Sequence, residues 1–434
     1  MFTRLSPVTL IWPAVIGALV CPPCWAQTIL AAHTRPAVLG PPPPPPPATP
    51  LGFNEAVALA DRDQPAVIAQ RAAIDVALTE AVSASQLPDP KLKLGLQNVP
   101  TNSFSLTEDF MTQRTVSVEQ SVPREEKRRL RGERARIEAD KSAAEADDLQ
   151  RSIRRDTALA WLSRYAAQRS DELLREQLTL AMRQREAAQI ALRANKVGLQ
   201  DLARAELEVQ QAQDRVSASV AQIARARAEL SRWIGAHAQR EPAREFPDLP
   251  DPQELKYLRD GVDRSPQLGA ARRDIALAEN ELAQAKAAKL ADWSVEIGYA
   301  RRGPAFADMI SAQVSIDLPL FTADRQDRTV LAKQRDLQRR QLMHEDHSRM
   351  VEAELDATYA DWSLAKERAE RYQEEVLPAA KQRVDAALAE YRAGRTELTS
   401  VLEAQRAEVD MRLQWVALRV AAAKARVQLQ YLAD

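Results

Sequence analysis

Four short segments of the chain alternate between apolar and polar residues. Their apolar members are Leu92, Leu94 and Leu96; Val116, Val118 and Val122; Trp293, Val295, Ile297 and Tyr299; and Ile310, Ala312, Val314, Ile316 and Leu318. A period of two puts the apolar side chains of a strand on one face, so each segment predicts a two-faced β-strand. Runs of about ten such residues are typical of strands that cross an outer membrane. A half-buried sheet of a soluble protein shows the same alternation.

The segments between the strand pairs predict long helices. From Arg124 to about Lys196 the chain has no proline and one glycine, Gly132. At about 1.5 Å per residue, this stretch makes a helix of about 100 Å. Spacings of three and four residues follow Gly198 and predict a seam along which helices pack. The seam positions are Val209, Ala212, Val216, Ser219, Ile223, Ala226, Leu230 and Trp233, with Val409, Leu413, Val416, Val420, Ala423 and Val427 in the second half.

The chain repeats itself once, with a period of about 200 residues, much longer than the period of solenoid repeats. The matching segments are Pro65, Arg71 and Ile74 with Pro266, Arg272 and Ile275; Ser117-Val118-Glu119 with Ser315-Ile316-Asp317; and Val197-Gly198 and Leu202 with Ala393-Gly394 and Leu398. Each half has the predicted order helix, two strands, very long helix, glycine turn, second long helix. We therefore predict two repeats, residues 51–250 and residues 251–434.

Residues 1–26 predict a secretory signal peptide. The basic residue Arg4 precedes a short apolar core, and Cys24-Trp25-Ala26 forms a cleavage site of the small-x-small type. The core is broken by Pro13 and is short for a membrane-spanning helix, although an uncleaved anchor is the alternative. Both cysteines of the chain, Cys21 and Cys24, lie in this segment. Cleavage would therefore leave no disulfide or thiolate chemistry, and lipid modification of Cys21 is left open.

Residues 27–50 predict a stiff, extended spacer without a core. Seven consecutive prolines run from Pro41 to Pro47, and such runs adopt the polyproline conformation. The folded part is therefore expected to start near Leu51.

Composition narrows the possible functions. The chain has 12 glycines, 60 basic and 61 acidic residues, and 5% aromatic residues. Scarce glycine favours long helices, while balanced charge and few aromatic residues argue against a nucleic-acid partner. No nucleotide-binding or hydrolase motif is present, so we expect no catalytic residues and no cofactor. His344 and His347 are spaced like a metal pair on a predicted helix, but a zinc site needs further ligands, so no metal site is predicted.

Four strands are too few to close a membrane barrel, since small barrels need about eight. An open sheet edge is not tolerated in lipid. Several protomers must therefore share one barrel, and three protomers would supply twelve strands.

Several segments resemble the TolC family of outer-membrane efflux factors, and the resemblance extends from Leu51 to Asp434. The segments that carry it are Leu87-Pro88-Asp89-Pro90; Ser117 to Pro123, leading into Lys127-Arg128-Arg129; and Tyr391-Arg392-Ala393-Gly394 through Leu398, Val401, Leu402, Glu403, Ala404 and Gln405. The segment Gln97-Asn98-Val99-Pro100 is most similar to the heavy-metal branch, which includes cobalt–zinc–cadmium and copper–silver exporters.

The resemblance implies a mainly α protein with a membrane β-barrel portion. A trimer would form a twelve-stranded barrel in the Gram-negative outer membrane, continued by a long α-helical barrel in the periplasm. It would act as a passive duct and not as an enzyme, exporting substrates, heavy-metal cations for this branch. Its partners would be a periplasmic adaptor protein, an inner-membrane pump of the resistance–nodulation–division class and outer-membrane lipid. A periplasmic coiled-coil adaptor or a structural protein is the alternative function.

The resemblance also implies roles for particular residues. Glu403 and Ser400 would line the channel constriction, with serine where better-known members carry aspartate. Tyr391 and Thr396 would help to hold the helical coils together. The tip turns at Gly198 and Gly394 would dock the adaptor. Residues expected to lie in membrane strands are Leu92, Leu94, Val116, Val118, Val295, Ile297, Val314 and Ile316. Alternatively, Glu403 pairs with Arg406 or Arg395 on the coil surface.

Overall fold

The computed structural model describes residues 49–62, 64–262 and 265–433. The predicted signal peptide, with Cys21 and Cys24, lies outside these ranges. So does the predicted spacer up to residue 48, including its proline run.

Helices and strands follow one another in the same order in the two halves. The elements are α1 (Phe53–Arg62), α2 (Pro65–Ala84), β1 (Lys91–Gln97), β2 (Gln113–Val122), α3 (Glu125–Arg193), α4 (Leu199–Ile234), α5 (Leu255–Gly261), α6 (Gly269–Ala287), β3 (Trp293–Arg301), β4 (Met309–Ile316), α7 (Gln326–Arg371), α8 (Leu377–Arg392) and α9 (Leu398–Ala433). Each pair of strands thus lies between a shorter helix and a long one, as expected from the repeated sequence.

Helix α3 has 69 residues, which corresponds to about 100 Å at about 1.5 Å per residue. It begins two residues after Pro123, with Glu125 and Glu126 in its first turn, and it ends with Arg193 in its last turn. Acidic residues at the start and a basic residue at the end both interact favourably with the helix dipole. The predicted long helix of the first half is confirmed.

The long helix predicted for the second half extends from α7 through α8, but unlike α3 it contains a widened turn. A π-helical turn, Tyr372–Val376, joins α7 to α8. Pro378 stands in the first turn of α8. Proline has no backbone N–H and its ring clashes with the carbonyl of the residue four positions earlier, here Glu374. A widened turn accommodates this clash, and that is the physical reason for the difference.

The seam positions predicted on the two return helices are buried or half-buried. In α4 the burial extends from Val209 to Leu230 at the predicted spacing. Val209 and Ala212 pack against Ala181 of α3, while Leu230 joins a larger core. Many of these residues are small, which lets the helices approach one another closely.

Trp161 of α3 stands at the centre of the largest core and is 0% exposed. Its ring stacks on Tyr165 at 5.6 Å and meets Phe53 edge-on at 5.5 Å. Its indole N–H donates to the carbonyl of Leu51 at 3.1 Å. One side chain thus joins the start of the folded chain to the middle of its longest helix.

Arg240 fixes the same N-terminal stretch. Its guanidinium donates to the backbone carbonyls of Thr49 and Pro50 and forms an ion pair with Glu55 at 2.6 Å. The hydrogen bond from Arg240 lowers the pKa of the Glu55 carboxyl below its usual value. The chain that follows the proline run is therefore held at a defined place on the fold.

Within the described ranges, every helix falls short of the combination of length and apolarity that crossing a bilayer requires.

The four strands form one antiparallel sheet in the order β1-β2-β3-β4. The strand register is equivalent in the two halves of the chain. Leu92 pairs with Val118 across β1–β2, and Trp293 pairs with Ile316 in the same way across β3–β4. The motif match of Ser117 with Ser315 therefore corresponds to equivalent places in the sheet.

Candidate functional site

One face of the sheet is apolar and exposed. Row by row, the register brings Leu92, Val118, Ile297 and Ala312 together, then Leu94, Val116, Tyr299 and Ile310. Seven of the eight predicted membrane-strand residues are 45% to 73% exposed, and Val295 is half-buried. The predicted alternation is confirmed, and the apolar surface lacks cover among the described residues.

The opposite, polar face is the crowded one. Ser117 on this face is 9% exposed and Ala300 is 8% exposed. A Cβ atom added at Gly95 would lie 2.8 Å from the Thr115 hydroxyl, and one added at Gly298 would lie 2.8 Å from the Ser311 hydroxyl. The polar face therefore has little room for larger side chains at Gly95 and Gly298.

Strands β1 and β4 are the open edges of this sheet. All residues of both strands are exposed, and neither has an outer partner strand in the described part of the chain. Unpaired N–H and C=O groups along an edge readily pair with another strand. The sheet is therefore incomplete as a single chain.

The far ends of the long helices form two tip turns. Gly394 has a φ of +70° and ends α8, whereas the left-handed residue after α3 is Asn195, with a φ of 56°. The hydrogen bonds agree, since Lys196 N–H donates to the Ala191 carbonyl and Arg395 N–H to that of Glu390. The donor and the acceptor of the second hydrogen bond each lie 199 residues after those of the first.

The predicted correspondence of Gly198 with Gly394 is therefore wrong by three residues. Gly198 has a φ of −84° and caps the start of α4, where its N–H donates to Asp201. Asparagine tolerates the left-handed conformation that ends a helix, so the first turn does not need glycine there. With the corrected alignment, Glu403 corresponds to Arg204.

The two tips pack against each other. Ala188, Ala205 and Leu398 form a buried cluster, and Tyr391 packs on it from the end of α8. Thr396 donates a hydrogen bond to Ser400 at 3.1 Å across the first turn of α9. Beside this contact a cavity of about 610 Å³ separates the turns.

A series of polar contacts between α4 and α9 extends from the tip, and sequence reasoning missed it. Arg204 donates to Thr399 at 2.9 Å, Arg406 donates to Gln211 at 3.1 Å and Arg215 pairs with Asp410 at 2.6 Å. Each pair is separated by 195 residues, as expected for two parallel helices in fixed register. The matching seven- and four-residue spacings on the two helices were the available signal.

Ser400 and Glu403 of α9 are exposed, whereas Val401 and Ala404, next to them around the helix, are buried. Residues three apart share a helix face, so the two side chains are neighbours. Arg406 lies 3.7 Å from Glu208 and does not pair with Glu403. The carboxylate of Glu403 has no ion-pair partner among the described residues.

No group of three or more histidine, cysteine or acidic side chains in the described part of the chain is arranged to hold a metal ion.

The fold combines a four-stranded sheet, one face of which is apolar and exposed, with long paired helices, as in a protomer of a membrane channel. The family model described as outer membrane efflux protein matches residues 259–433. The cobalt-zinc-cadmium resistance protein CzcC of Cupriavidus metallidurans is 25% identical over 378 residues, covering 85% of this chain and 86% of that protein.

Two solved structures share the fold. A membrane protein from Pseudomonas aeruginosa has a TM-score of 0.76 at 16% identity, with 88% of this chain and 90% of that chain covered. The open state of the MtrE outer membrane channel of Neisseria gonorrhoeae has a TM-score of 0.70 at 15% identity, with 88% of each chain covered.

Residues 259–433 thus match the outer membrane efflux protein family, and the similarity to CzcC extends over 85% of the chain, in agreement with the resemblance to the TolC family in the sequence. The protein is a component of the outer membrane with its helical part in the periplasm. The family is one of efflux channels and not of enzymes.

Proposed function

We propose that the protein works as a homotrimeric duct that carries heavy-metal cations from the periplasm or from an inner-membrane pump to the exterior. The observation that carries the proposal is the four-stranded sheet with two open edges and an exposed apolar face. Three such sheets joined edge to edge make a twelve-stranded barrel, large enough to enclose a lumen. The polar faces would then line that lumen, because the apolar faces would contact lipid.

Native mass measurement of detergent-extracted protein tests the shared barrel. We expect a trimer, because β1 of one protomer would pair with β4 of the next and leave no edge in lipid. A stable monomer or dimer that inserts into membranes would contradict the trimeric duct.

We propose metal cations as the substrate because the related protein CzcC is named for resistance to cobalt, zinc and cadmium. We expect deletion of the gene to lower the tolerated concentration of at least one of these three ions, and the intact gene to restore it. A panel of drugs serves as the control. If the deletion lowers drug tolerance and leaves metal tolerance unchanged, the proposed substrate is wrong, whereas the proposal of a duct still holds.

The partners we propose are a periplasmic adaptor and a pump of the resistance–nodulation–division class, because a passive duct needs an external source of energy. The adaptor would dock on the exposed tip turns, residues 194–198 and 393–397, which include Gly198 and Gly394. The alternative function, a periplasmic coiled-coil adaptor or structural protein, would not use a sheet with an exposed apolar face. Membrane extraction that requires detergent favours the duct.

Glu403 is the proposed acidic residue of the channel constriction. It is exposed at the tip, Arg406 contacts α4 instead, and Arg395 forms no ion pair with it among the described residues. Three such carboxylates around a threefold axis would favour cations, as charged rings do in cation channels. Ser400 would form an uncharged second ring. Tyr391, Thr396 and the Arg204 and Arg215 contacts would hold the neighbouring helices in the narrow state.

Replacing Glu403 by alanine is expected to weaken cation selectivity and block by polyvalent cations, because the only proposed charge of the constriction is lost. Conductance of purified trimer in planar bilayers measures both properties. Ser400→Ala is the matched control on the same helix face and should change neither. If Glu403→Ala conducts and is blocked like the wild type, Glu403 does not line the constriction.

A further inference from the structure

Three charged side chains meet on the polar face of the sheet. The amino group of Lys93 lies 2.5 Å from a carboxylate oxygen of Glu119 and 2.7 Å from one of Glu296. The hydroxyl of Ser117 donates to the other oxygen of Glu296 at 2.6 Å. Three different strands contribute to this cluster, which we call the lysine bridge: Lys93, Glu119 and Glu296.

The strand register explains why a lysine is needed at this place. Glu119 and Glu296 stand directly opposite each other across β2–β3. Like charges in this arrangement repel each other. Lys93 reaches them from the neighbouring row, in which it pairs with Ser117. Lys91, directly opposite Glu119, adds a second positive charge, so the four side chains carry no net charge.

Stability is a poor explanation for the lysine bridge. Side-chain exposures are 48% for Lys93, 22% for Glu119 and 27% for Glu296 in its two ion pairs. Ion pairs at such an exposed surface contribute little to stability, because solvent and salt screen them and the long side chains lose freedom when they are held in place. Their electric field, by contrast, acts on mobile ions within a Debye length, about 8 Å at physiological salt.

We propose that Lys93 is a selectivity-determining residue of the barrel lumen, where it and Lys91 together cancel the charge of a carboxylate pair that would otherwise retain cations. This inference rests on the proposed function, because the polar face must line a trimeric duct. Two carboxylates in each of three protomers would form a ring of negative charge at one level of the barrel. Conduction requires ions to leave as well as to enter, and a bare carboxylate ring would hold divalent cations within the barrel.

The lumen would then have two electrostatic zones. The tip presents Glu403 without a paired cation among the described residues, whereas the sheet presents carboxylates that are already neutralised. Cations would be selected at the periplasmic end and released from a neutral barrel.

The test measures reversal potentials in a salt gradient, and block by cadmium ions added on the barrel side, for trimers in planar bilayers. For Lys93→Gln we expect the cation-to-anion permeability ratio to rise by about threefold, and cadmium block to appear, since three positive charges are lost from the lumen. The double variant Glu119→Gln/Glu296→Gln should shift the ratio in the opposite direction. Lys93→Arg should behave like the wild type.

Lys256→Gln, which removes the same charge from exposed helix α5, is the matched control and should leave the ratio unchanged. If the wild type conducts and both the Lys93→Gln and the double glutamine variants match its permeability ratio, this inference is overturned and the duct stands. A wild-type trimer that does not conduct overturns the proposed function and this inference with it. Should Lys93→Gln fail to assemble, the opposite shift in the double variant carries the test.

Discussion

Replacing Val314 by arginine is expected to remove most assembled trimer from the outer membrane. Val314 lies on the apolar face of β4, opposite Val295, and is 63% exposed in the single chain. An arginine on the lipid face of a membrane strand costs about 2–4 kcal/mol at the bilayer midplane and less near the interfaces. Ile316→Arg should therefore be the milder variant, because Ile316 pairs with Trp293 at the end of the sheet nearest the helices.

Ser315→Arg is the matched control for both, one residue away on the polar face, where Ser315 pairs with Ser294. It should assemble nearly as the wild type does. The amounts of trimer in the membrane fraction, measured by native mass after extraction, decide the comparison. Equal losses for Val314→Arg and Ser315→Arg would mean that the two faces have been assigned wrongly.

Replacing Trp161 by alanine is expected to destabilise the helical part by about 3–5 kcal/mol, the usual range for deleting a buried aromatic side chain. The ring contacts of Trp161 with Phe53 and Tyr165 would be lost, and the carbonyl of Leu51 would lose its indole donor. We therefore expect the thermal unfolding midpoint of the detergent-purified protein, measured by far-ultraviolet circular dichroism, to fall. We also expect proteases to cleave the start of the folded chain more readily.

Two variants calibrate this result. Trp161→Phe keeps an aromatic ring but loses the hydrogen bond, so its midpoint should fall between wild type and Trp161→Ala. Tyr257→Ala removes an exposed aromatic side chain from α5 and should change the midpoint little. A Trp161→Ala protein as stable as Tyr257→Ala would show that this core does not support the helical part.

The elements and their faces could be predicted because their signals are local. Alternation at a period of two is a property of neighbouring residues, and it assigned Leu92, Val118, Ile297 and Val314 to one face. The absence of proline from α3 likewise predicted its length. The widened turn before Pro378 also has a local cause, although the repeat of the first half obscured it.

The candidate site was predictable only in part. The motif match correctly placed Glu403, Ser400, Tyr391 and Thr396 near one tip turn. It also aligned Gly198 with Gly394, which are not equivalent in the two turns. A helix can end on either asparagine or glycine, so residue identity alone did not locate the equivalent turn. Backbone conformation at Asn195 corrected the alignment by three residues.

The sequence by itself determined where the strands and long helices lie and which side chains share a face, because these depend on backbone geometry over a few residues. Tertiary structure alone decided which distant faces meet. The amino group of Lys93 contacts a carboxylate 203 residues away, and Arg215 contacts Asp410 195 residues away. Such pairings depend on strand order and helix register, which no local pattern specifies. The sequence therefore contains the charged residues that we expect to govern ion passage, but only the folded sheet brings the three members of the lysine bridge together.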